Sequence, residues 1–164
     1  MFTTDPFLSA SVGGTPLVRL EEVVPDGCGT VWLKLESGNP TGSYKDRMAV
    51  AVLGRAIERG EVKPGDRVVE YTGGSTGTAL AFVAARLGLS FVAVSSDAFA
   101  AAKLRSMRAY GAEVIIETSE DGAITPELIG RMKGRAQELV SKEGCFYADQ
   151  FGSPDVLVGY EPMG

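Results

Sequence analysis

The sequence predicts an α/β fold, built as an open, mainly parallel sheet with helices on both faces. Short runs rich in β-branched and aromatic residues alternate with longer segments whose apolar residues recur at helical spacing. No internal repeat, low-complexity tract or long linker interrupts this alternation. Strands that are separated by helices typically form parallel βαβ units, and their helices then cover both faces of the sheet.

The predicted elements follow one another from residue 30 to residue 149. Strands are expected at 30–36, 66–71, 90–96, 112–118 and 145–149. Helices are expected at 45–61, 75–88, 98–111 and 125–144. The last helix has a proline in its first turn, where the missing N–H costs nothing. The helix at 75–88 is rich in alanine and is expected to be buried.

The two ends of the chain lie outside this pattern. Residues 1–29, which include GGTPLVRL (13–20), are expected to form an arm with one short strand and no helix. Residues 150–164 begin as a loop and stop where an element would start, so the chain resembles a cut-off one. Their apolar side chains suit a segment that packs against another part of a protein.

Composition excludes several classes of function. The chain has 164 residues, of which 45% are hydrophobic and 23% charged, as in ordinary soluble domains. Its net charge of −5 argues against nonspecific nucleic-acid binding. Cys28 and Cys145 are too few for a disulfide framework or a zinc site. Neither a signal-peptide pattern nor an apolar run of bilayer length occurs, so we expect a cytoplasmic protein without membrane contacts.

Histidine is absent from the chain. Nucleophile pairs that need a histidine, and metal sites ligated by histidine, are therefore excluded within it, and no metal is expected. Acid–base chemistry near neutral pH would have to come from a lysine, a carboxylate, a tyrosine or a bound cofactor. A lysine within an unusual sequence motif is therefore a candidate catalytic residue.

One such lysine, Lys45, lies in the stretch SGNPTGSYKDR (37–47). One interpretation is an ordinary helix start, capped by Ser43 or Thr41, with Lys45 facing water in the first turn. The other is a nucleophilic lysine that can form an imine with an aldehyde cofactor. The stretch by itself leaves both interpretations open.

A second stretch, EYTGGSTGTAL (70–80), predicts a strand, a glycine-rich turn and a helix. The turn lets the backbone approach a ligand closely through its glycines, Gly73, Gly74 and Gly77. The helix start adds N–H groups, together with the hydroxyls of Thr72, Ser75 and Thr76. This combination suits an anion. A tight turn without a ligand is the alternative.

Two phosphate-binding motifs can be compared with this turn. The P-loop pattern fails, because no Gly-Lys-Ser/Thr closes the turn. The dinucleotide pattern nearly fits, with Thr72 in place of its first glycine and Asp97 near its acidic position. A nicotinamide-dependent enzyme is therefore a second hypothesis, although it leaves Lys45 and its neighbours unexplained.

Taken together, NPTGSYKDR and TGGSTGTALA resemble the fold-type II pyridoxal-phosphate enzymes, the cysteine synthase and cystathionine β-synthase family. GGTPLVRL, RAYGAEVI and ADQFGSP are similar to further family segments in the same order. The resemblance implies that Lys45 forms the imine with pyridoxal 5'-phosphate. It implies a substrate-carboxylate site made by the following residues: Thr72, Gly73, Gly74, Thr76 and Gln150. Ser75 stands where the family has an asparagine that contacts the cofactor ring hydroxyl, and Gly73 stands where it has a serine.

The resemblance also implies a function and an organisation. The function is β-elimination or β-replacement on a small amino acid such as an O-activated serine, by a cysteine synthase-like homodimer. A threonine synthase or dehydratase relative, and a noncatalytic domain that binds small anions or partners, remain alternatives. Residues 1–29 and 150–164 would belong to a larger domain and 30–149 to a smaller one. The family's phosphate-binding loop would lie beyond Gly164, so the 164-residue chain alone is expected to be inactive.

Overall fold

A computed structural model describes residues 5–163 and contains two separate sheets. The strands are β1 (Leu17–Leu20), β2 (Val31–Lys34), β3 (Arg67–Tyr71), β4 (Ser90–Ser96), β5 (Glu113–Glu117) and β6 (Phe146–Tyr147). Four of them form a parallel sheet in the order β5-β4-β3-β6. β1 and β2 form an antiparallel pair. The predicted α/β class with a mainly parallel sheet is confirmed.

Six α-helices occur within the described residues, and the longer ones flank the parallel sheet. They are α1 (Pro6–Ser11), α2 (Lys45–Glu58), α3 (Ser75–Arg86), α4 (Ala101–Ala109), α5 (Pro126–Glu143) and α6 (Asp155–Tyr160). The predicted helices that start at 45 and 75 begin at those residues. α5 ends at Gly144, whose φ of 68° is the left-handed conformation that glycine adopts without strain.

The alternation of side chains along the strands divides the core into two layers. Val68 and Phe91 are paired neighbours on β3 and β4, and both pack with the buried residues of α2, α3 and α4. Val69 and Val92 are the next pair, and both pack with the buried residues of α5. Successive strand residues face opposite sides of a sheet, so helices must cover both faces. The expectation of helices on both faces is confirmed.

Three expectations about the chain ends were wrong. The strand predicted at 30–36 pairs with β1 instead of joining the parallel sheet. The arm contains a helix, α1, because Asp5 caps its N-terminus by accepting from the Leu8 N–H at 2.9 Å. The segment 150–164 contains α6, where we expected a loop. Among residues 5–163, no helix is long and apolar enough to cross a bilayer.

Candidate active site

Lys45 belongs to residues 36–47, called here the lysine segment, which is fastened by buried polar contacts. Asn39 is buried and accepts from the Gly13 N–H at 2.8 Å. Its amide nitrogen donates to the Glu36 backbone carbonyl at 3.0 Å and to the Glu36 carboxylate at 2.8 Å. One asparagine thus ties the arm to the turn that precedes α2.

A buried ion pair continues this network. Arg47 is only 6% exposed and donates two hydrogen bonds to Glu36, at 2.7 and 2.9 Å. It also donates to the Thr15 hydroxyl at 3.1 Å. The Arg47 hydrogen bonds are the main reason why the pKa of Glu36 falls to about 2. Bidentate arginine–carboxylate pairs are among the strongest polar contacts, so the first turn of α2 is held firmly.

Asp46 fastens the other side of the same segment. Its carboxylate is fully buried and accepts from the Thr41 backbone N–H at 2.7 Å and from the Thr41 hydroxyl. Burial raises the pKa of Asp46, against these hydrogen bonds and the charge of Lys103. Asp46 and Arg47, which directly follow Lys45 in the sequence, therefore hold the turn before α2 by bonding to Thr41 and to Glu36.

Lys45 is the first residue of α2, and its side chain is half-buried rather than facing water. The N-cap position is taken by Tyr44, which makes no side-chain cap bond, so the predicted caps Ser43 and Thr41 were wrong. Ser43 instead accepts from the Lys45 backbone N–H at 3.2 Å. The Lys45 Nζ donates to the Tyr160 hydroxyl at 3.0 Å.

The predicted carboxylate site lies in residues 72–77, called here the glycine loop, at the carboxyl end of β3. The hydroxyl of Thr72 is buried and accepts from the N–H groups of Gly77 at 3.2 Å and Gly74 at 3.5 Å. Within the described part of the chain, the N–H groups of Gly73, Ser75 and Thr76 donate to no protein acceptor. Free N–H groups at a helix start form a site for an anion.

Gln150 is brought to the glycine loop although it lies far along the chain. The Thr76 hydroxyl donates to the Gln150 side-chain oxygen at 2.7 Å. The Gln150 amide nitrogen donates to the Tyr71 carbonyl at 3.1 Å. Two residues that lie 74 positions apart in the sequence, and that were predicted to hold the same carboxylate, are therefore in contact.

Glu70, which sequence reasoning missed, holds Gln150 in this position. Its fully buried carboxylate accepts from the backbone N–H of Gln150 at 2.8 Å and from that of Tyr71 at 2.9 Å. Burial raises the pKa of Glu70 to about 7, against these two donors. A glutamate directly after two valines of a strand, two residues before the loop, was the signal in the sequence.

A recess of about 410 Å³ opens beside the glycine loop, lined by loop residues and by apolar side chains that include Phe99, Met132 and Phe151. A Cβ at Gly73 would overlap the ring of Phe99. The ring therefore occupies the space that a serine at position 73 would need. Phe99 is a second site residue that the sequence did not reveal.

Lys45 and the glycine loop have separate hydrogen-bond partners. Among residues 5–163, no hydrogen bond joins the two. Lys103, in the first turn of α4, donates to the Ser75 hydroxyl at 3.4 Å, and its charge acts on Asp46. Lys103 is therefore a cation of this region that sequence reasoning missed.

Asp97 does not take the role that a dinucleotide site would need. Its carboxylate accepts from the Ser119 N–H at 2.7 Å and from the Ser96 hydroxyl at 3.0 Å. These bonds lower the pKa of Asp97, with the Ser119 N–H as the largest cause. The residue joins two loops of the domain, and this removes the support for a nicotinamide-dependent enzyme.

Residues 8–164 match the family described as pyridoxal-phosphate dependent enzyme. The chain belongs to this family. It is 41% identical over 148 residues to cysteine synthase B of Escherichia coli, which covers 90% of this chain and 47% of that protein. It is 42% identical over 144 residues to O-ureido-L-serine synthase of Streptomyces lavendulae, covering 88% of this chain and 42% of that protein.

Solved structures show the same relationship. A crystal structure of O-ureido-L-serine synthase is 40% identical, has a TM-score of 0.77, and matches 90% of this chain and 45% of that one. Cysteine synthase from Entamoeba histolytica is 30% identical, has a TM-score of 0.83, and matches 95% of this chain and 46% of that one. The chain therefore spans less than half the length of the relatives it matches.

Proposed function

We propose that this chain is part of a cysteine synthase-like enzyme that eliminates or replaces the β-substituent of a small amino acid such as an O-activated serine. The contact between Thr76 and Gln150 is the observation that supports it most. Thr76 belongs to α3 and Gln150 to the turn before α6, and they meet at a loop that has N–H donors without an acceptor among residues 5–163. A carboxylate is the substrate group that such donors suit.

The residues fit pyridoxal 5'-phosphate by their chemistry. Lys45 offers a half-buried primary amine, and the Ser75 hydroxyl beside Lys103 offers a polar contact for a ring substituent. When bound, the cofactor supplies an aldehyde that condenses with amines and a ring that takes up negative charge from the α-carbon. We assign the aldehyde to Lys45 and the ring contact to Ser75.

The remaining work falls to residues of this chain. The donors of the glycine loop, with Gln150, hold the α-carboxylate and so fix the orientation of the bonds around the α-carbon. Lys45, once its amine is free and uncharged, can accept the α-proton as a general base. Lys103 adds positive charge beside the loop and favours an anionic substrate.

Two positions bear on the choice of substrate. Ser75 has a shorter side chain than the asparagine of the family pattern, and Gly73 lacks the serine hydroxyl. Phe99 fills the space beside Gly73 with an aromatic ring. We propose that these differences change which leaving group or nucleophile is accepted, within the range that relatives named cysteine synthase and O-ureido-L-serine synthase represent.

We further propose that residues 1–29 and 150–164 belong to a larger domain, with 30–149 as the smaller one. The pair β1–β2 carries several exposed apolar side chains, among them Leu17 at 57% and Trp32 at 53% exposure. Such surface favours association. We expect the purified chain to be a dimer or larger; a monodisperse monomer in light scattering at micromolar concentration would contradict this.

The test of the activity is a chimera, in which residues 1–164 are joined to the remaining carboxyl-terminal part of E. coli cysteine synthase B. We expect it to turn over O-acetyl-L-serine and sulfide. Lys45→Ala should abolish turnover, because the proposed base is removed, whereas the exposed Lys63→Ala should leave it unchanged. A folded chimera that is inactive, or equally active after Lys45→Ala, contradicts the proposal.

A further inference from the structure

The amine of Lys45 lies between two aromatic side chains. Its Nζ is 3.0 Å from the Tyr160 hydroxyl, 5.6 Å from the centre of the Tyr160 ring and 4.9 Å from the centre of the Tyr44 ring. The two rings are 5.4 Å apart. Tyr160 is thus the hydrogen-bond partner of the amine, while both rings add cation–π contacts.

Tyr160 is held in place by α2, the helix that begins with Lys45. Asp155, at the start of α6, is buried and pairs with Arg55 at 2.6 Å and with Arg59 at 2.8 Å. Gly159 packs so closely that a Cβ there would lie 2.8 Å from the Arg47 carbonyl oxygen. These contacts fix the distance between the end of α6 and the start of α2.

A phenol suits an amine that gains and loses a proton. Burial raises the pKa of Tyr160, against the effect of Lys45, so the phenol keeps its hydrogen near neutral pH. The oxygen then accepts from a charged lysine, and the O–H can donate to an uncharged one. The contact therefore persists in both protonation states of Lys45.

The surrounding charges leave Tyr160 as the dominant partner. Partial burial opposes the charge on Lys45, but the hydrogen bond to Tyr160 and the two phenols outweigh it and raise the pKa of Lys45. The neighbouring charges on α2 are bonded elsewhere, Asp46 to Thr41 and Arg47 to Glu36. On α6, Asp155 is taken by its two arginines, and Glu161, which directly follows Tyr160, is exposed.

We propose that Tyr160 is the positioning residue of Lys45, whose hydroxyl holds the ε-amino group at the start of α2 and keeps its proton in place until a ligand displaces the contact. A role of Tyr160 in catalysis rests on the function proposed above. The contact itself is a property of this chain without any cofactor.

The experiment is competitive acetylation of the 164-residue chain with acetic anhydride between pH 7 and 11, read by peptide mass spectrometry. Tyr160→Phe keeps the ring and removes the hydroxyl. We expect its Lys45 labelling curve to move to lower pH, with about three- to tenfold more labelling at pH 8, since one pKa unit is tenfold. Lys63, which is exposed, provides the internal reference.

Tyr44→Phe is the matched control, because it also keeps a ring beside the amine and removes a hydroxyl that raises the pKa of Lys45 less than Tyr160 does. We expect a smaller shift than for Tyr160→Phe. Urea unfolding of each variant detects a loosened α6, and a shift of the Lys45 midpoint is assigned to the lost hydroxyl only where the free energy of unfolding is unchanged. An unchanged Lys45 midpoint in Tyr160→Phe, or an equal shift in Tyr44→Phe, overturns the proposal.

This outcome is separable from that of the proposed function. The labelling uses no cofactor and no substrate, so a shifted midpoint supports the role of Tyr160 even where the chimera is inactive. Conversely, an active chimera with an unshifted Lys45 midpoint rejects the role of Tyr160 and leaves the proposed function standing.

Discussion

The lysine segment and the glycine loop are held by different interactions. In the lysine segment, the buried side chains on both sides of Lys45 are bonded within the segment, Arg47 to Glu36 and Asp46 to Thr41. In the glycine loop, small residues and one hydroxyl set the shape, and several N–H groups find no acceptor in the described part of the chain. The first region presents one side chain in a fixed place, whereas the second keeps donors available for a ligand.

The largest expected effect concerns the phosphate group of the cofactor, which neither region is proposed to bind. Residues 1–164 span less than half the length of the relatives that they match, and we propose that the donors to the cofactor phosphate lie in the part of those relatives that is not matched. Several charge-assisted hydrogen bonds, each worth roughly 1.5–3 kcal/mol, would then be missing from residues 1–164 alone. We expect this chain to lose pyridoxal phosphate on dialysis, while the chimera retains it. A yellow, active 164-residue chain after dialysis contradicts this.

Removing the ion pair between Arg47 and Glu36 should destabilise the lysine segment. Arg47→Met leaves the Glu36 carboxylate without its main partner in a site where it is only 14% exposed. We expect the free energy of unfolding to fall by about 3 kcal/mol in urea titrations, in the range found for broken buried pairs.

Two variants sharpen that measurement. Arg47→Met combined with Glu36→Gln should recover part of the loss, because no unpaired charge remains. The exposed Arg105→Met should change stability by less than about 0.5 kcal/mol. Equal effects of Arg47→Met and Arg105→Met would show that the ion pair does not hold the segment.

The glycine loop should respond to pH through Glu70. Its pKa in the folded chain is about 7, above the ordinary 4.5, so its stabilising contribution is complete below pH 4.5 and is lost as pH rises through 7. The loss can reach about 3 kcal/mol at 1.36 kcal/mol per unit. We expect wild type to lose stability relative to Glu70→Gln between pH 5 and 7.5, measured by urea unfolding. Parallel profiles would contradict the assignment.

The smallest effect tests the packing of the loop. Gly73→Ala places a methyl group on the Phe99 ring, and we expect a loss of about 1–3 kcal/mol, as for other overpacked sites. Phe99→Ala should relieve part of it, so the double variant should lose less than the sum of the single changes. Gly134→Ala, in open space on α5, is the control and should be neutral or stabilising. Strict additivity of the two changes would argue against the contact.

The sequence was sufficient to predict those helices, strands and loops whose residues follow a local pattern. Val68 and Val69, on opposite faces of one strand, made the two-layered sheet predictable, and the glycine loop followed from its own residues. The pairing of β2 with β1 was not predictable, since nothing in a short apolar strand specifies which strand it pairs with. Tyr160 and Lys103 reach the site through helix packing, which no local spacing encodes.

We propose that Lys45 is the lysine that bonds to the cofactor. The direct measurement is borohydride reduction of the chimera after loading with pyridoxal phosphate, followed by peptide mapping. We predict that reduction removes the visible absorption band and leaves the phosphopyridoxyl group on Lys45, and that folded Lys45→Ala is colourless. Attachment at another lysine, or an undiminished band in Lys45→Ala, would contradict it.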